Sequence, residues 1–217
     1  MIRQCQLIIG MFCCYGISFN AWSAPEQRVD FETPSNAITW RAETTQPDTR
    51  PAEWVITADR TAPSPSRVLA LRRINNHAPN VFNLYWTRDI SFEDGILEVN
   101  IRADAGSIDQ GGGLIWRARD QRNYYLARYN PLERNLRLYV VTDGARRQLA
   151  DAPDLNIPSG RWWKLRIAHH GNQISAWLDD VRLLQATDDS LRGAGGVGVW
   201  AKADATSSFD DFAVKPQ

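Results

Sequence analysis

Hydrolysis of a glycosidic bond needs two carboxylates held about 5–10 Å apart, and the acidic residues of this chain are poorly spaced for it. Beyond residue 23 the glutamates are Glu26, Glu32, Glu43, Glu53, Glu93, Glu98 and Glu133. No two stand two or four positions apart, so no Glu-x-Asp-x-Glu string sets a carboxylate pair on one strand face. Glu98, on a polar strand face, and Glu133, in a hairpin turn, remain as single acid/base candidates. The Gly-x-Ser-x-Gly elbow of an α/β serine esterase is absent. Among the histidines, His169 and His170 precede Gly171 and read as solvated turn residues. The pairs Asp179–Asp180, Asp188–Asp189 and Asp210–Asp211 supply the hard oxygens that Ca2+ accepts, but none has EF-hand spacing. Asp210 and Asp211, flanked by Phe209 and Phe212, are the one calcium candidate carried forward.

Chemistry for recognition is better supplied. Three strand-like runs between Gly112 and Val141 put Arg117 with Ile115, Arg128 and Asn130 with Tyr124, and Asn135, Arg137 and Tyr139 together. If those faces align, one surface carries all of these polar groups, with Trp177 pointing the same way from a later strand. Planar rings stack on pyranose faces, and guanidinium forks pair with hydroxyls or carboxylates. The candidate carbohydrate-binding set is therefore Arg117, Tyr124, Arg128, Asn130, Asn135, Arg137, Tyr139 and Trp177. Gly193, Gly195 and Gly198 spell a dinucleotide fingerprint, but strand-forming Val197, Val199 and Trp200 occupy the place where the required helix would begin.

The elements that must position these groups are strands. Leu97, Val99 and Ile101 alternate with Glu98, Asn100 and Arg102, and Trp163, Leu165 and Ile167 alternate with Lys164 and Arg166. This two-residue period marks half-buried strands. Similar runs start near residues 53, 67, 81, 112, 124, 135, 173, 196 and 208, separated by Gly, Asp, Asn and Pro turns every eight to twelve residues. No sustained helical period occurs, so at most one or two helical turns are expected, Asp188–Arg192 first among them. Such strands must pack sheet on sheet, so the prediction is an all-β, two-sheet antiparallel β-sandwich.

The 217 residues carry 25 basic and 25 acidic side chains, and 43% are hydrophobic. The charge balance argues against a nucleic-acid partner, and no apolar run reaches the ~18 residues that span a bilayer. Arg3, the apolar stretch 7–19 and the small residues Ala21 and Ser23 read as an export signal over 1–23. All three cysteines fall inside it, so the mature chain can form no disulfide. Residues 24–52 read as an extended leader and 53–217 as one sandwich domain, acting in the periplasm or outside the cell.

Trp163-Lys164-Leu165-Arg166-Ile167, Ile174 to Asp179, Gly196-Val197-Gly198-Val199-Trp200 and Phe209-Asp210-Asp211-Phe212 together resemble the concanavalin A-like lectin/glucanase superfamily. Gly112 to Arg117, followed by Asn123-Tyr124-Tyr125, and the stretch from Trp54 to Ser64 are similar to its 3-keto-disaccharide hydrolase and laminin-G-like secreted bacterial domains. The resemblance implies a jelly roll over roughly residues 53–214. It leaves three functions open: glycan binding without turnover, glycoside hydrolysis, and protein recognition. The residue inventory favours the first.

Overall fold

A computed structural model describes residues 25–33, 37–46, 50–74 and 78–217. The expected export signal, its cysteines and His77 lie outside the described residues. Fifteen strands follow in order: β1 (Gln27–Val29), β2 (Arg41–Thr44), β3 (Glu53–Ala58), β4 (Arg67–Arg73), β5 (Phe82–Phe92), β6 (Gly95–Ala105), β7 (Gly112–Asp120), β8 (Asn123–Asn130), β9 (Asn135–Thr142), β10 (Ala145–Ala152), β11 (Trp163–His170), β12 (Gln173–Leu178), β13 (Val181–Thr187), β14 (Gly195–Lys202) and β15 (Thr206–Pro216). No helix occurs among the described residues, and Asp188–Arg192 is irregular chain rather than a helical turn.

The strands form two antiparallel sheets. One runs β13-β12-β11-β6-β15-β4-β3, with β1 pairing the distal part of β15; the other runs β10-β9-β8-β7-β14-β5-β2. Their facing sides interdigitate in one core. Leu97, Val99 and Ile101 of β6 and Leu165 and Ile167 of β11 meet Leu114, Trp116, Tyr125, Ala127, Leu138 and Val140 of the seven-stranded sheet. Each such side chain removed from water contributes about 1.5–3 kcal/mol, which holds the sandwich without disulfides.

The stretch expected to be a leader is built into both sheets. Its β1 joins β15 and its β2 extends the other sheet beside β5. Trp40 stacks on Tyr85 with centroids 5.3 Å apart, and Trp54 covers the same ring at 5.5 Å, closing the sandwich edge.

The seven-stranded sheet is buried on its outer face too. Phe82, Leu84, Trp86, Ile115, Tyr124, Leu126, Tyr139, Val141 and Trp200 make a second cluster there. That outer face positions the site.

Candidate functional site

Strand register orders the outer face into rows. One row runs Gln148, Tyr139, Leu126, Ile115, Gly198, Trp86 and Arg41. The next runs Asp151, Arg137, Arg128, Gly113, Trp200, Leu84 and Glu43. Gly198 matters to this packing: a Cβ there would lie 2.5 Å from Cβ of Trp86 and 2.4 Å from the Tyr85 carbonyl oxygen. Trp86 donates its Nε1–H to Glu43 at 2.9 Å, and Trp200 donates to the Tyr124 hydroxyl at 3.2 Å.

At one end of these rows lies a buried ionic network. Arg128, 1% exposed, donates Nη2–H to Asp109 Oδ2 at 2.8 Å and to Glu133 Oε1 at 2.7 Å. Asp109, equally buried, also accepts from Lys202 Nζ at 2.9 Å and Asn130 Nδ2 at 3.2 Å. Glu133 takes a further bond from Arg137 at 2.7 Å, and Arg137 bonds Asp151 at 3.0 Å. The three cations Arg128, Arg137 and Lys202 thus face the three acids Asp109, Glu133 and Asp151, and the network balances its own charge. The Arg128 hydrogen bond is the main cause holding the Glu133 carboxyl at about 2; burial opposes it, and Asn135 and Arg137 reinforce it.

Beside this network opens a cleft of about 500 Å3, lined by Thr45, Gln46, Pro79, Asn80, Phe82, Arg122, Asp143, Gly144, Arg146 and Lys202. Arg146 comes from β10 and Phe82 from β5, strands separated by five inter-strand steps. Along a flat sheet that is about 24 Å. Yet the Arg146 guanidinium carbon lies 5.2 Å from the Phe82 ring centroid, so the sheet curls and the cleft occupies its concave side. Arg146 also stacks on Tyr139 at 4.4 Å, and Phe82 packs on Trp200 at 5.1 Å. The cleft is thus part aromatic, part cationic, and within the ~300–1,000 Å3 usual for ligand sites.

No family model matches the chain, and no curated protein matches it. Solved structures do. The carbohydrate-binding module CBM66 from Bacillus subtilis is 20% identical, with a TM-score of 0.62 over 80% of this chain and 92% of that one. A Bacillus subtilis protein of unknown function with a galectin-like fold is 16% identical (TM-score 0.63; 88% and 94% covered), and the Bacillus licheniformis β-glucanase 9% identical (0.60; 89% and 99%). The fold is a concanavalin A-like jelly roll.

Within the jelly roll the predicted site residues separate. Arg128, Asn130, Asn135, Arg137, Tyr139 and Tyr124 do share the outer face of the seven-stranded sheet. Most of them are walled in: Tyr124 is fully buried with its hydroxyl bound to Trp200, and Tyr139 lies under Arg146. Arg128, Asn130 and Asn135 are buried and engaged with Asp109 or Glu133. They form the wall beneath the cleft rather than its open surface.

Four assignments require correction. Arg117 leaves the face, because β7 bulges there: Trp116 pairs Tyr125 and the next paired residue is Asp120 with Asn123. With φ at 46°, its side chain turns away to the loop carbonyls of Glu93, Leu191 and Gly171. Trp177 lies on β12 of the opposite sheet, paired with Arg166 and Arg182. Glu98, the other single acid/base candidate, is on that sheet as well, away from the cleft and held in ion pairs with Arg166 and Lys215. Asp210 and Asp211 form no cation site. Asp210 spends its oxygens on the Ser64 amide and hydroxyl and the Asp211 amide, Asp211 binds Asn100, and no metal-binding group occurs among the described residues.

His169 is likewise not solvated. It is buried, accepts the Trp116 Nε1–H on Nδ1 at 2.9 Å, and is pushed down to about 4, first by burial and then by Arg117. The cleft residues that sequence reasoning missed are chiefly Phe82, Arg122, Arg146 and Lys202. Only the run Ala145-Arg146-Arg147-Gln148, polar on both faces of an edge strand, carried any signal.

Proposed function

We propose that the protein binds an oligo- or polysaccharide in this concave cleft without turning it over. The observation that carries the reading is the cleft itself: the Phe82 ring, surrounded by donors from Arg122, Arg146, Lys202 and Asn80. Rings and fixed donors in one recess suit the alternating apolar and hydroxyl faces of a pyranose. Similarity to a carbohydrate-binding module and a β-glucanase supports a saccharide as the ligand class. Against turnover stands Glu133, the only predicted acid near the cleft. A general acid must be protonated near working pH, whereas Arg128 keeps this carboxylate ionised down to about 2.

In a thermal-shift screen of neutral oligosaccharides, at least one is expected to raise the melting temperature. Saturation at about a hundred times Kd adds ~2.7 kcal/mol to the native state, several degrees for a chain of this size. Phe82→Ala is expected to weaken that ligand in direct titration. A screen in which no saccharide shifts the transition or titrates would overturn the reading.

We further propose export, with residues 1–23 removed. It rests on Arg3, the apolar stretch 7–19 and the small residues Ala21 and Ser23. The amino terminus of the protein recovered outside the cytoplasm is expected to be Ala24; an intact Met1 there would exclude cleavage.

A further inference from the structure

Among the described residues lining the cleft, Arg146 alone has a buried side-chain donor without a hydrogen-bond partner. Its guanidinium carbon lies 4.4 Å from the Tyr139 ring centroid and 5.2 Å from that of Phe82. Its Nη1 is buried and has no hydrogen-bond partner. No carboxylate lies within ion-pairing distance of it among the described residues; the acids behind the cleft wall are taken by Arg128, Arg137 and Lys202.

The remaining charges around it sharpen the point. Arg122, Lys202 and Asp143 line the same cleft. Arg122 donates to the Asp143 carbonyl oxygen, and Lys202 is neutralised by Asp109. The balance left in the recess is positive, and among the described residues Arg146 is the lining cation with a buried N–H left without a partner. Burial lowers the Arg146 pKa, with Arg128 adding repulsion, but a guanidinium stays charged in a protein. A buried donor left unmet is an unfavourable arrangement unless a ligand completes it. Arg146 lines the cleft, and the planar fork of a guanidinium matches the two oxygens of a carboxylate.

We propose that the cleft selects a saccharide bearing a carboxylate, a hexuronic acid unit, with Arg146 as its anchor. This deepens the glycan-binding reading and rests on it. The Tyr139 and Phe82 rings hold the fork in place.

The test is titration of the full exported chain with oligomers of galacturonate, glucuronate and mannuronate, each beside its neutral hexose counterpart and a sulfated one of equal length. At least one uronate oligomer is expected to bind about tenfold or more tighter than its neutral counterpart, the scale of one charge-assisted hydrogen-bond pair. Arg146→Gln should remove that preference while the melting temperature falls by no more than the few degrees that two lost ring contacts cost. Neutral sugars binding as well as every uronate would overturn this inference and leave the glycan-binding reading intact. Sulfated oligomers binding more tightly than uronates would overturn the carboxylate assignment. Binding of none of these sugars would overturn both readings.

Discussion

An Asp109→Ala chain is expected to melt roughly 10 °C below the parent. Removing one partner of a buried ion pair costs about 3–5 kcal/mol, because the other charge stays behind unpaired. In a domain of this size each kcal/mol is worth about 2–4 °C. Asp109 is 1% exposed and holds three groups: Arg128, Lys202 and Asn130. Without it Arg128 keeps only Glu133, whose side chain is 37% exposed, and Lys202 loses its single acid. Asp189, paired with Arg192 at the exposed surface, is the control; its alanine variant should move stability by no more than about 1 kcal/mol. Replacing Asp109, Arg128 and Lys202 together with Leu, Met and Met should recover most of the loss, since apolar residues of similar volume replace buried pairs at little cost. A melting temperature for Asp109→Ala within two or three degrees of the parent would show the network to be dispensable.

This network explains why the fold was easier to read than the site. Alternation in Gly95–Arg102 and Trp163–Ile167 reports strands with one wet face, and the eight-stranded sheet is built that way. Register in β8 and β9 was legible too, so Arg128, Asn130, Asn135 and Arg137 were placed on a common face. What sequence could not show is that this face is itself covered. On a strand buried on both sides, such as Asn123–Asn130, polar residues no longer mark solvent. Arginine and asparagine there are wall material for Glu133 and Asp109, residues from a turn and a loop that no periodicity links to them. Arg146 was lost for the opposite reason. Its strand, Ala145–Ala152, is an edge with exposed positions on both faces, and a guanidinium reaching across a curled sheet leaves no trace in local pattern. The β7 bulge defeats alternation outright, since extra residues opposite β8 put Arg117 off the face its spacing assigns.

That displaced arginine carries the second large effect. Arg117→Met is expected to lower the melting temperature by roughly 10 °C while leaving saccharide affinity in the concave cleft unchanged. Arg117 is 3% exposed and donates four hydrogen bonds, each 3.0 Å long, to Glu93 O, Leu191 O, Asp94 Oδ1 and Gly171 O. One side chain thereby ties the β5–β6 turn, the β11–β12 turn and the segment entering β14. Charge-assisted hydrogen bonds are worth about 1.5–3 kcal/mol each and do not add fully, so a total near 3–5 kcal/mol is expected. Lysine should rescue little, because a point charge cannot span four acceptors that a fork reaches. Histidine titration separates this role from mere loss of volume. Arg117 is the second cause, after burial, of the low His169 value of about 4, so Arg117→Met should let that imidazole titrate at higher pH. Loss of saccharide binding in Arg117→Met, with stability and His169 both unmoved, would instead return this arginine to the ligand site.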